Sequence, residues 1–293
     1  PPRSTLFPYT TLFRSLVADF VLERFLSYLN IQNSKKTLPA ELSDIYDNEK
    51  YLQQQDYFRT NSKFGMISGS FSFLITLSMY LFGGFGWLDA FLGNYIDNPI
   101  LLSLAFFGVI FWISDLLGIP FELYDTFVIE QKFGFNKVTP KIFILDKLKS
   151  WLMSALLGAG LLSLIMWIYS LTPDYFWLLG WSVVTVFGLF MGLFYSELIV
   201  PMFNKQTPLE EGELRTAIEK FAGKAGFKLK NIFVIDGSKR STKANAYFTG
   251  FGPKKRIVLY DTLMDKLSTD EIVSVLAHEI GHNKHKHTIK NML

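Results

Sequence analysis

The chain has no cysteine in its 293 residues. That one absence removes disulfides, thiolate metal ligands and cysteine nucleophiles from consideration. Charge is scarce as well: Asp, Glu, Lys and Arg make up 19% of the residues, while 49% are hydrophobic and 29 are Phe. A soluble domain of this length carries more charge, so the composition predicts a membrane protein. The net charge of +3 is too small to predict a nucleic-acid partner. No signal peptide is recognisable, because Arg3 and Arg14 do not flank an apolar core with a small-residue cleavage site. Internal repeats and low-complexity tracts are also absent. Residues 1–15 show no helical or strand period and stop abruptly at an apolar run. They read as a non-native leader and are set aside from the fold prediction.

Long apolar runs are plentiful, with Asp115 the one charge inside the four main ones. Residues 64–85, 99–121, 151–172 and 175–196 are each long and apolar enough to cross a bilayer. A weaker fifth, residues 16–29, carries Asp19, Glu23 and Arg24. Residues 173–174 (Pro-Asp) form a tight hairpin between the last two spans. Basic residues alternate along the connections. Residues 30–63 hold Lys35, Lys36, Lys50, Arg59 and Lys63, and residues 122–150 hold Lys132, Lys137, Lys141, Lys147 and Lys149. Residues 86–98 and 173–174 contain no Lys or Arg, and everything after Ser196 is rich in both. By the positive-inside rule, the region after the last span faces the cytoplasm.

That region changes character. Residues 208–226 read as an amphipathic helix with Leu214, Ala217, Ile218 and Phe221 on one face. Three strand-like runs follow at 231–236, 244–249 and 256–261, with a turn at Gly250-Phe251-Gly252-Pro253. Ser268 and Glu271 then fit a capping box, in which the Ser268 hydroxyl accepts from the Glu271 N–H and the carboxylate reaches back. The predicted fold is mostly α: a polytopic transmembrane helical bundle over residues 16–200, then a small cytoplasmic α+β domain from 201 to 293.

The helix opened by Ser268 carries His278-Glu279-Ile280-Gly281-His282. Residues four apart share a helix face, so both imidazoles can grip one zinc ion, and the Glu279 carboxylate is placed to reach a water on it. Zinc lowers the pKa of that water toward about 7, Glu279 takes its proton, and the metal polarises a scissile carbonyl. A third protein ligand is needed. His285 lies seven residues from His278, about 10 Å along the axis, which is too far for one ion. His285 and His287 therefore read as polar or supporting residues, and the third ligand is expected beyond Leu293. Asn245-Ala246-Tyr247-Phe248 is the predicted substrate partner: an extended peptide could add to this strand, with the Asn245 amide bonding its backbone. An ordinary sheet strand capped by a polar residue fits the spacing equally.

These residues together resemble the type I CAAX prenyl proteases, integral-membrane zinc metallopeptidases. The resemblance runs from about Leu16 to Leu293. It rests on residues 127–136 (FVIEQKFGFN), 201–204 (PMFN), 245–250 (NAYFTG) and the HEIGH motif with its basic sequel and His287. It implies that His278 and His282 are zinc ligands, that Glu279 is catalytic, and that Asn245 and Ala246 lie along the substrate strand. It also implies seven spans around a large chamber, with two spans and a ligating glutamate following HEIGH. On that basis the chain is a C-terminally truncated piece, itself inactive. The implied substrates are prenylated C-terminal Cys-a-a-X tails, which lose their last three residues, or stalled and misfolded membrane proteins. The bilayer would be that of the endoplasmic reticulum or a bacterial inner membrane.

Intramembrane site-2-type proteases place HExxH within a hydrophobic span, but residues 283–290 are polar and basic. The smaller heat-shock membrane proteases have two spans ahead of the motif, fewer than here. The alternative from another class is a non-enzymatic membrane scaffold or transporter with a degenerate metal helix. Intact Glu279 argues against it, and a zinc measurement separates the two.

Overall fold

The computed structural model describes residues 7–34, 37–226, 231–249 and 256–284. It divides into two compact units, residues 1–133 and 134–293.

The first unit holds α1 (Phe7–Asn33), α2 (Asn48–Leu81), α3 (Gly84–Gly93) and α4 (Pro99–Tyr124), then a π-helical run Asp125–Glu130. Short polar residues set the starts. Asp47 caps α2 by accepting from the N–H groups of Glu49 and Lys50 at 2.8 and 3.0 Å. Asn98 caps α4 in the same way, and Pro99, which has no N–H to satisfy, opens it. The second unit continues with α5 (Pro140–Leu171), capped by Thr139, then α6 (Phe176–Leu198) and the single turn α7 (Val200–Phe203). Strand β1 (Gln206–Pro208), α8 (Glu213–Lys224), β2 (Asn231–Ile235), β3 (Ala246–Thr249), β4 (Arg256–Tyr260), α9 (Asp261–Met264) and α10 (Thr269–Lys284) complete it.

Among the described residues four helical stretches are long and apolar enough to cross a membrane: Asn48–Leu81, Pro99–Glu130, Pro140–Leu171 and Pro173–Phe203. Their side chains stay largely uncovered, with Leu74, Phe107, Leu156 and Trp181 all exposed. An apolar surface of this extent is at home in lipid rather than water.

Several expected boundaries shift. The run expected at 64–85 ends at Leu81, where Gly83 at φ +66° turns the chain, and Phe85 belongs to α3. Residues 86–98, read as a loop, are helical through Gly93, with Leu88 buried. Residues 122–150 are mostly helix, because α4 runs on into the π turn and α5 begins at Pro140. Hydropathy marks only the apolar part of a helix, whereas main-chain hydrogen bonding continues through polar ends. Residues 7–15, set aside as aperiodic, are part of α1. Residues 16–29 do lie within a helix, but α1 is not among the four apolar stretches.

The soluble-looking part is a four-stranded sheet in the order β1-β2-β4-β3. The centre pair β2–β4 is parallel, and both outer pairings are antiparallel. Ile257, Val258 and Leu259 are successive buried residues of β4, so both faces of the sheet are covered there. Helices α8 and α10 pack together, and Ile218, Ile272 and Leu276 join Ile232, Ile257, Leu259 and Ala246 in one core. The helix expected over 208–226 starts only at Glu213. Pro208 belongs to β1, a strand too short and irregular to be read from sequence. The expected strands are present but shorter, since Ala244, Asn245, Asp236 and Asp261 fall outside them. The turn expected at 250–253 lies outside the described residues.

Candidate active site

Helix α10 is the element that carries the HEIGH motif, and its start is capped. The Ser268 N–H donates to the Glu271 carboxylate at 2.8 Å, as expected of a capping box. The reciprocal bond differs: the Ser268 hydroxyl also donates to that carboxylate, at 2.8 Å, instead of accepting from the main chain. A charged acceptor is the stronger partner for a hydroxyl. Both bonds hold the Glu271 carboxyl below the usual carboxylate range.

From this cap the helix runs unbroken past the motif. Ile272, Leu276 and Ile280 are buried, the last against Ala222 of α8. That apolar stripe fixes the rotation of α10 about its axis. His278 is exposed on another face, and Glu279 is half-buried at the margin of the stripe. His282 follows His278 by four residues on the same unbroken helix, so the two backbone positions share a face one turn apart. His285 and His287 lie outside the described residues. Among the described residues no group of three His, Asp or Glu side chains comes together to hold a metal. The donor chemistry of the helix nonetheless fits zinc: an accessible imidazole, a second histidine position one turn on, and a carboxylate beside them.

Strand β3 lies against the same helix. Ala246 is buried in the core with Ile272 and Leu276, and Phe248 packs on Ile280. Tyr247 alternates to the opposite face, where its hydroxyl is 3.1 Å from Ser196 Oγ of α6. Burial raises the Tyr247 phenol above its ordinary value of 10.0, although the Ser196 bond pulls the other way. In the sheet order β3 is an edge strand, paired with β4 alone among the described residues. Asn245 is exposed just before it. Its carbonyl accepts from the Tyr260 N–H at 3.0 Å, and its side-chain oxygen accepts from the Ala246 N–H at 2.9 Å. Because 245 and 260 form a hydrogen-bonded pair, Ala246 directs its own main-chain groups away from β4, toward the outer edge. The expected extended peptide partner thus has an edge to join, with Asn245 already turned into it.

Several supporting residues had no signal in the sequence. Arg240 grips Asp146 of α5 with two nitrogens at 2.8 and 2.9 Å, across 94 positions of chain. Arg256 pairs with Glu197 at 2.8 Å, and the Asn204 amide donates to the main-chain and side-chain oxygens of Asp236. The segment 134–137, part of the FVIEQKFGFN run, pairs with the chain leading into β3. Phe135 C=O accepts from Thr242 N–H, and Lys137 N–H donates to Arg240 C=O. Lone charged and polar residues show no periodicity, so pairing at such separations is invisible before folding.

Comparison with known proteins agrees with this architecture. A family model described as CAAX prenyl protease N-terminal, five membrane helices, matches residues 27–205, and the model of peptidase family M48 matches residues 208–293. A CAAX prenyl protease 1 homolog of Oryza sativa subsp. japonica is 41% identical over 278 residues, covering 90% of this chain and 65% of its own length. CAAX prenyl protease 1 of Saccharomyces cerevisiae is 38% identical over 290 residues, covering 94% of this chain and 64% of its own. The crystal structure of S. mikatae Ste24p is similar with a TM-score of 0.89 at 37% identity, over 98% of this chain and 69% of that one. The chain therefore spans slightly less than two thirds of the length of the first two relatives. Together these matches make the chain a multi-pass integral membrane protein of peptidase family M48, with the N-terminal membrane domain of the CAAX prenyl proteases.

Proposed function

We propose that the full-length protein is a membrane-embedded, zinc-dependent endopeptidase that cleaves near the C-terminus of prenylated proteins. The observation that carries this reading is the unbroken, capped helix α10, bearing His278, Glu279 and His282 and packed against the edge strand β3. The names of the relatives, CAAX prenyl proteases, supply the substrate class.

In this reading His278 and His282 hold the metal, with a glutamate beyond Leu293 as third ligand. When bound, zinc supplies the Lewis acidity that makes a water nucleophilic near neutral pH and polarises a peptide carbonyl. Glu279 takes the proton from the attacking water and hands it to the departing amine. Strand β3 holds the substrate in extended form. Ala246 offers its outward main-chain groups, and Asn245 releases the Ala246 N–H as its amide turns to the incoming backbone. The alternating Lys and Arg content of the connections supports a cytoplasmic position for α10, in the endoplasmic reticulum or a bacterial inner membrane.

The test uses two variants of the full-length protein. Glu279→Gln should keep about one zinc per chain and lose hydrolysis by about a hundred-fold or more. His278→Ala should lose both metal and activity. Metal analysis beside a peptide-cleavage assay reads both outcomes. Undiminished turnover in the glutamine variant overturns the base assignment.

A further inference from the structure

The outer edge of β3 does not run on freely past Asn245. Along residues 240–246 the main chain alternates its partners. The Lys243 and Asn245 carbonyls bond toward the β4 side, accepting from Thr262 Oγ1 at 2.9 Å and Tyr260 N at 3.0 Å. The even-numbered residues serve the other side. Ala246 faces the outer edge, whereas Thr242 N–H and Arg240 C=O are already taken by Phe135 and Lys137, at 3.1 and 3.0 Å. Asn136 and Ser241 form an antiparallel bridge between these bonds. The Thr242 hydroxyl adds a bond to Gly134 C=O at 3.0 Å. So the segment 134–137 occupies the edge from Thr242 backwards, and the edge offered by β3 is closed at that end.

The closed end carries positive charge. The Lys243 ammonium lies 4.8 Å from the centre of the Phe135 ring, and Lys266 Nζ donates to Thr242 C=O at 2.5 Å. Lys243 is exposed, and the ring face holds its ammonium over the blocking segment. A peptide joining an edge strand pairs antiparallel more often than parallel. Such a peptide, lying opposite Asn245, points its C-terminus toward Thr242 and meets the segment after about three residues.

We infer that this end of the β3 edge is a terminus-reading subsite, in which Lys243 receives the free C-terminal carboxylate of the substrate while the segment 134–137 limits how far the chain extends. The inference rests on the peptidase reading above and adds to it the group that selects chain ends over internal sequence. A carboxylate suits this place, because a short peptide presents only that one fixed charge whatever its side chains are. An internal segment would have to continue through the space that Phe135 and Asn136 fill.

The experiment compares two prenylated peptides of one sequence, one ending in a free carboxylate and one in an amide, with the full-length zinc-loaded protein. The parent should prefer the acid by about ten-fold or more in kcat/KM, the effect of one charge-assisted hydrogen bond. Lys243→Met should raise KM for the acid by a similar factor with kcat little changed, so that the acid loses its advantage over the amide. Lys243→Arg should restore the preference, and Lys220→Met, on the outer face of α8, should not disturb it. An unchanged zinc content and thermal midpoint show that the methionine variant is folded. Equal cleavage of both peptides by the parent, or an equal loss on both in Lys243→Met, overturns the inference and leaves the peptidase reading standing. Cleavage of neither peptide by the parent overturns the peptidase reading itself.

Discussion

Glu279 shows how little of a residue's role lies in its identity. The apolar stripe Ile272–Leu276–Ile280 sets the rotation of α10, and that rotation leaves Glu279 half-buried while His278 is exposed. At the other end of the helix, Glu271 is held ionised by the Ser268 N–H and hydroxyl. Its folded pKa lies below the ordinary 4.5, so its contribution is fully present above pH 4.5. As pH falls, the unfolded chain takes up the proton first, and the contribution is gone once pH drops below the folded value. The acid midpoint for unfolding should therefore lie closer to neutral pH in Glu271→Gln than in the parent, as followed by circular dichroism in detergent. Tyr247 is a second residue-scale test. Tyr247→Phe removes the bond to Ser196 and should cost about 1 kcal/mol of stability, measured by denaturant unfolding.

Elements are joined by a few long-range contacts. The Arg240–Asp146 pair ties α5 to the chain entering β3, with side chains only 20% and 25% exposed. Arg240→Met leaves the Asp146 carboxylate without that partner in a half-buried place. It should destabilise the protein by about 1–3 kcal/mol, seen as a lower thermal midpoint. Gly237 illustrates a steric requirement. A Cβ there would overlap the Tyr260 ring, whose backbone pairs with both Asn245 and Ile235. Gly237→Ala should thus destabilise by about 1–3 kcal/mol and loosen the β3–β4 register, which hydrogen exchange of the Tyr260 amide would report.

At the scale of the whole molecule, the absence of cysteine makes sidedness easy to read. Single cysteines placed at Lys50 and Asn94, both exposed, should label from opposite sides of the membrane with an impermeant thiol reagent. Labelling from the same side would break the proposed orientation. The membrane part was legible in the sequence because lipid imposes one simple demand, long apolar helices with their main-chain bonds satisfied internally. The amphipathic helix α8 and strands β2 to β4 were legible because one-sided or continuous burial leaves a periodic trace. Strand β1, the helical residues 86–93 and the polar ends of α2 and α5 left none: their structure comes from neighbours and caps rather than from hydropathy.

The chemistry of the candidate site was set by sequence alone, since a spacing of four between His278 and His282 has one geometric meaning on a capped helix. Its surroundings were not. That Ala246 turns its main chain to an outer edge depends on the strand order β1-β2-β4-β3. That this edge closes at Thr242 depends on a segment more than a hundred residues upstream, paired through Phe135 and Lys137. Edges and closures are relations between distant main-chain groups, which every residue type possesses equally. No pattern of side chains along the chain encodes them, and only the folded arrangement decides them.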